Sequence, residues 1–89
     1  MNPAIKNEAS LADMLELIGK KLLELRLRKG YTSHAEFAAD FDLPRIQYWR
    51  MEKGKANITL KSLLKILSIH KVSLHEFFCV ARAEERFEV

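Results

Sequence analysis

Residues 33–54, SHAEFAADFDLPRIQYWRMEKG, constrain the fold more than any other stretch, because they hold two helix starts, a corner and a glycine stop. Ser33 and Glu36 have the spacing of a capping box, in which a hydroxyl and a carboxylate each satisfy a backbone N–H left over at a helix start. The helix that begins there is expected to run to about Phe41. It would bury Phe37, Ala38 and Phe41, which recur at the three- and four-residue spacing of one helical face. Asp42 suits the corner, since a short polar side chain tolerates the left-handed backbone that most residues resist. Pro44 suits the first position of a second helix, where its missing N–H would have had no helical partner. Gly54 supplies that helix's end.

The second helix, over 44–53, divides its side chains between two faces. Leu43, Tyr48 and Met51 share the side expected to meet a core. Arg45, Ile46, Gln47, Trp49 and Arg50 fall on or beside the other side. Arginine and glutamine are the residues whose planar forks match base edges in the major groove of DNA, arginine to guanine and glutamine to adenine. Lys53 at the end of the helix and Lys55 beyond it flank Gly54, where backbone phosphates would pass. A solvated face that happens to carry two arginines would show the same residues. The charge distribution therefore carries weight: from Lys20 to Lys61 there are 10 basic residues against 5 acidic, in a chain whose net charge is only +3. A basic centre with near-neutral or acidic flanks favours phosphate contact.

The remaining sequence reads as further helices. Ser10 is placed to cap a long first helix through Lys29, with Leu11, Leu15, Ile18, Leu22 and Leu25 as its apolar stripe and Gly30 as its end. Thr59 is placed to cap a helix to about His70 that buries Leu60, Leu63, Leu64 and Leu67. Ser73 and Glu76 repeat the capping box before a short helix offering Leu74, Phe77 and Phe78. No segment alternates like a strand. The expectation is an all-α fold of five helices with an extended first helix, in one domain spanning 1–89: an N-terminal extension over 1–9, a helical core over 10–78 and a charged tail over 79–89. An 89-residue chain suits one such core.

Several function classes lose support. No apolar run reaches the length needed to cross a bilayer, and the N-terminus lacks the apolar core of a signal peptide. The lone Cys79 excludes an internal disulfide and agrees with a reducing cytoplasm. Cys79 lies one helical turn after His75, but a structural zinc usually needs four ligands and no second cluster exists, so a buried thiol is the better reading and no metal is expected. His34, His70 and His75 accompany no recognisable nucleophile motif, and no glycine-rich phosphate loop is present. Neither enzymatic activity nor a cofactor is indicated.

Taken in order, IGKKLLELRLRKG before the central segment, YWRMEKGK at its end and TLKSLLKILSIHKVSLHEFF after it resemble the Cro and lambda-repressor type of helix-turn-helix domain, also called the xenobiotic-response-element family. The resemblance runs from Ile18 to Phe78. It implies a bacterial or phage DNA-binding regulator, commonly dimeric, whose second and third helices form the motif. Arg45, Ile46, Gln47, Trp49 and Arg50 match positions that face bases or phosphates in family members. Ser33 and His34 would start the helix whose N-terminal N–H groups approach phosphate. Arg26 and Glu52 match a pair that joins the first helix to the end of the reading helix. The chain departs from the pattern in a longer connection after Gly30, in Asp42 where glycine is common, in Pro44 for a serine or threonine cap, and in His34 where glutamine is frequent.

Two functions follow. One is sequence-specific binding of double-stranded DNA by a homodimer, because one reading helix spans too few base pairs to find a site in a genome. Met14 and Leu17 of the first helix, or Phe77, Phe78 and Phe87 of the last helix and tail, would supply the dimer contact. The other is a protein-interaction module on the same scaffold, such as an antitoxin facing a toxin or an assembly factor, with Ile46 and Trp49 turned to a protein.

Overall fold

A computed structural model describes residues 3–78 of the chain, with side chains from Leu11 onward. Among the described residues all regular structure is helical: α1 (Pro3–Arg28), α2 (His34–Asp40), α3 (Arg45–Glu52), α4 (Leu60–His70), and α5, which includes 74–78. The chain divides into two compact units, one ending at Ile58 and the other beginning at Thr59. Cys79, the charged tail and Phe87 fall outside the described residues.

In the first unit α1 starts at Pro3, not at Ser10, so most of the expected N-terminal extension is part of the helix. Proline is well placed there, because it is tolerated only where a helix has no N–H to satisfy. Of the apolar stripe on α1, Ile18 and Leu22 are buried, Leu15 and Leu25 half-buried, and Leu11 is 56% exposed. Gly30 ends the helix region with a left-handed φ of 99°.

Ser33 caps α2, its Oγ accepting the Glu36 N–H at 3.2 Å. Only this half of the expected capping box forms. Phe37 is the centre of the unit, fully buried, with its ring 5.4 Å from Tyr31, 5.0 Å from Phe41 and 5.2 Å from Tyr48. Tilted and edge-on aromatic packing of this kind adds about 0.5 to 1.5 kcal/mol per pair beyond the area buried. Phe41 itself is only half-buried. Asp42 takes the corner at φ 57°, the left-handed conformation its position required.

Pro44 sits one position earlier than expected: it is the N-cap of α3, with extended backbone and no side-chain bond to the helix, and the helix proper begins at Arg45. A proline ring has no acceptor to offer, so the first N–H groups of α3 have no side-chain cap from it. Lys53 is the C-cap, and Gly54 follows at φ 71°.

In the second unit Thr59 caps α4, its Oγ1 accepting the Ser62 N–H at 3.1 Å. The buried face of α4 is Leu63, Ile66 and Leu67, whereas Leu60 is 59% and Leu64 46% exposed. The observed face is rotated by part of a turn from the expected one. Leucine and isoleucine at 60, 63, 64, 66, 67 and 69 offer two overlapping stripes, and the helix settles on the one that includes Ile66. Lys71 closes α4 in the left-handed region at φ 58°, a place glycine or asparagine usually holds. At the start of α5 both halves of the capping box form, with Ser73 N–H on Glu76 Oε1 and Glu76 N–H on Ser73 Oγ, each at 3.0 Å. The Ser73 N–H on the carboxylate, and second the Ser73 hydroxyl beside it, favour the charged form and hold the Glu76 pKa below its usual value. Phe77 is buried and Phe78 half-buried.

Candidate nucleic-acid interface

α3 is held by its inner face and presents its outer one. Tyr48 and Met51 point inward and are 1% and 3% exposed. Four further contacts fix the helix. Leu43 N–H bonds back to Ala38 O at 2.8 Å, which sets the angle between α2 and α3. Gly19 of α1 lies so close to the end of α3 that a Cβ there would stand 2.5 Å from Glu52 O and 2.7 Å from Met51 O. Gly54 makes a second close approach, where a Cβ would meet Glu16 Cα at 3.0 Å. Glycine is the residue for such backbone contacts.

The fourth contact is ionic. Arg26 Nε donates to Glu52 Oε2 at 2.8 Å and Nη2 to Oε1 at 3.1 Å, while Nη1 donates to Tyr31 O at 2.9 Å. The side chains are 7% and 5% exposed. A two-bond fork of this kind fixes direction as well as distance. The hydrogen bond to Glu52 raises the Arg26 pKa further above its already high value.

Tyr48 lies beside this pair. Its hydroxyl is buried and makes no hydrogen bond of good geometry among the described residues, although Glu52 and Arg26 are near enough to act on it. Burial first, and the Glu52 carboxylate second, push its pKa far above the usual 10.0. Tyr31, whose hydroxyl donates to Asp40 Oδ2 at 2.7 Å, is also raised, chiefly by that bond. These are the chain's 2 tyrosines. Folded protein is therefore expected to show little tyrosinate absorbance at about pH 10, where the unfolded chain is half-ionised. Because the folded pKa is raised, this contribution to stability is complete below about pH 10 and is lost as pH climbs past it. Tyr48→Phe should shift alkaline unfolding, followed by circular dichroism, to higher pH. Half-ionisation of both tyrosines at about pH 10 with the helices intact would contradict burial of Tyr48.

The outer face of α3 gathers most of the residues singled out in the sequence. Arg45, Ile46, Gln47 and Arg50 are exposed, Ile46 to 67% and Trp49 to 36%. His34, Ala35, Arg45, Ile46 and Trp49 line one surface cleft of about 360 Å³ between the start of α2 and α3. The indole of Trp49 has His34 on one flank, ring centres 6.4 Å apart, and the Lys53 Nζ 5.9 Å from its ring centre. Ser33 spends its Oγ on the α2 cap.

Arg50 is engaged differently from its neighbours. Its Nη2 donates to Lys55 O at 2.9 Å, and Lys55 N–H returns a bond to Arg50 O, also at 2.9 Å. This clasp ties the loop after Gly54 to α3 and leaves the Lys55 ammonium on an exposed residue. Neither the clasp nor Gly19 stands out in the sequence. The first depends on a side chain reaching a loop carbonyl. The second shows only as a glycine in the middle of a helix, a costly choice that asks for a packing reason.

No helix among the described residues is long and apolar enough to cross a membrane, and none of their His, Cys, Asp and Glu side chains group in threes that could hold a metal ion.

Known proteins resemble the chain in sequence. A family model described as helix-turn-helix matches residues 22–77, a stretch that runs through both compact units. The chain is 42% identical over 60 residues to a protein from Mycoplasma sp named control protein C.MunI, a match covering 67% of this chain and 81% of that protein. No solved structure matches it significantly. On the strength of the family match and of this relative, the chain belongs to the helix-turn-helix family of the Cro and xenobiotic-response-element type, and is a DNA-binding regulator.

Proposed function

We propose that the protein binds double-stranded DNA in a sequence-specific way, as a homodimer, with α3 lying in the major groove, and controls transcription in the cytoplasm of a bacterium or of a phage's host. The observation that carries this reading is the division of α3: an inner face locked to α1 and α2, and an outer face that holds Arg45, Gln47 and Arg50 in solvent. Rigid placement matters because base readout requires side chains held at fixed distances from the groove floor. The relative's printed name, a control protein, agrees with such a role.

Reading and holding fall to different residues in this proposal. Arg45, in the first turn of α3, and Gln47 reach base edges. Lys53, Lys55, His34 and the backbone N–H groups near Ser33 meet phosphate. Arg50 has one nitrogen on the Lys55 carbonyl and its remaining donors available to the backbone of the DNA. Arg45→Ala is expected to cost about 1 to 3 kcal/mol of binding and to relax preference at one base pair, whereas Lys55→Ala should weaken all sequences alike and lower the salt slope by about one. The Lys55 substitution leaves the clasp intact, because Arg50 bonds the main chain there. Fluorescence anisotropy on a selected site and on random duplex, across a salt series, separates the two. Retention on random DNA that does not weaken as salt rises would overturn phosphate binding itself.

The exposure of Ile46 and Trp49 favours one second reading, a protein contact on the same face. Trp49→Ala distinguishes them: loss of DNA affinity puts the indole against sugar and phosphate, while intact DNA binding with loss of a protein partner puts it in a protein interface.

For the dimer, Met14 remains a candidate, being 43% exposed next to the exposed Leu11, and Leu17 is half-buried. Phe77 is not available, since it is only 3% exposed. Light scattering at micromolar concentration is expected to give twice the chain mass, with half-sites on DNA about 34 Å apart. A monomer both alone and on DNA would refute the dimer.

A further inference from the structure

Ile46 is the most exposed of the large apolar side chains among the described residues, at 67%, and it stands in the first turn of α3 between Arg45 and Gln47. It also forms part of the cleft with His34, Ala35, Arg45 and Trp49. We infer that Ile46 reads the C5-methyl group of a thymine, with Arg45 on a guanine at the neighbouring base pair. The inference rests on α3 entering the major groove and adds the identity of the bases it takes.

The chemistry of the two surfaces matches. The thymine methyl is the one alkyl group on the floor of the major groove, set among hydrogen-bond donors and acceptors. An isoleucine pressed against a donor or acceptor of a base edge would strip water from it and return no bond. Against a methyl it gains by burying apolar surface. The side chain is suited to the task, since a β-branched residue in a helix keeps one strongly preferred χ1 rotamer and has little freedom left to lose. Ala35 and Trp49 continue the apolar wall beside it, and Arg45 supplies a charged fork one residue away. Arg45 and Ile46 both stand in the first turn of α3, the part of a reading helix whose residues contact base edges.

The test uses the full chain and DNA of defined chemistry. Bound sequences are first selected from a random duplex pool made with unmodified bases, so that thymine is the methyl group's only source. Each thymine of the selected site is then replaced singly by uracil, which differs only in lacking the methyl. At one thymine per half-site this should weaken binding about fourfold, the equivalent of about 0.8 kcal/mol for one buried carbon. Ile46→Ala should bind the thymine and uracil duplexes equally, and Arg45→Ala should lose the preference for guanine at the adjoining pair. A site in which no thymine is sensitive to loss of its methyl overturns the inference, and so does a uracil penalty that persists in Ile46→Ala. Because the uracil series is run on unaltered protein, its result does not depend on how any variant folds. Selection and salt-sensitive binding that survive while the uracil effect is absent refute the methyl contact alone. Absence of any salt-sensitive DNA binding refutes the groove reading together with it.

Discussion

Glu52→Ala is expected to destabilise the protein by about 3 to 5 kcal/mol, because it leaves the Arg26 guanidinium shielded from water with no counter-charge. Both side chains are nearly closed to solvent where α1 meets the end of α3. For a domain of this size a loss of about 3 kcal/mol moves the midpoint of thermal unfolding by more than about 10 °C. Arg26→Ala should cost at least as much, since it also deprives Tyr31 O of its donor at 2.9 Å. The pair is expected to be strongly non-additive: replacing both partners by apolar residues of similar volume, Arg26→Met with Glu52→Leu, should cost less than either alanine variant alone. DNA affinity should fall in the single variants at temperatures where they remain folded, because the fork sets the direction in which α3 leaves α1. A Glu52→Ala protein that melts where the parent does would mean that solvent reaches the pair freely and that α3 is held by packing alone.

What is legible in the sequence and what is hidden divide along physical lines. The central segment can be read because each of its devices is local. A serine three residues before a glutamate, an aspartate at a corner and a glycine after a helix act within one turn of their own backbone, and Ser33, Asp42 and Gly54 stand in the conformations their chemistry requires. The start of α1 escapes for the opposite reason. Ser10 offers a cap that the helix does not need, as Pro3 already provides a start. The inward face of α4 is ambiguous, since Ile66 and Leu64 compete for it and only tertiary packing decides between them. For the candidate interface, exposure of Arg45, Ile46, Gln47 and Arg50 follows from helical period once Tyr48 and Met51 are assigned inward. What period cannot supply is contact across loops. The clasp of Arg50 on a loop carbonyl and the flanking of Trp49 by His34 of α2 join groups whose separation is not encoded in helical spacing, unlike the i,i+4 contact of Lys53 with Trp49.

Gly19 gives the sharpest conflict between a local rule and the tertiary structure, and so a prediction whose sign decides between them. Within an isolated helix, glycine is the poorest residue after proline, and alanine in its place gains about 1 kcal/mol. By that rule both Gly19→Ala and Gly19→Val should stabilise α1. The packing says the reverse. A Cβ at this position would lie 2.5 Å from Glu52 O, 2.7 Å from Met51 O and 2.9 Å from Glu52 C, all of them backbone atoms that cannot rotate aside. To admit even a methyl group α3 must move away from α1, which loosens the burial of Met51 and pulls Glu52 from the Arg26 fork. Overpacking of a tight contact costs about 1 to 3 kcal/mol and occasionally more. Gly19→Ala should thus come out net destabilising in spite of its helical gain, and Gly19→Val, with two further methyl groups against the same carbonyls, should lose more than about 3 kcal/mol. The loss should also reach function, because the displaced element is the one that carries Arg45, Ile46 and Gln47. Urea unfolding together with DNA titration below the melting transition measures both effects. Gly19→Ala as stable as the parent protein, or more so, with unchanged DNA affinity, would show that the α1–α3 seam has slack and that close backbone contact is not what positions the reading helix.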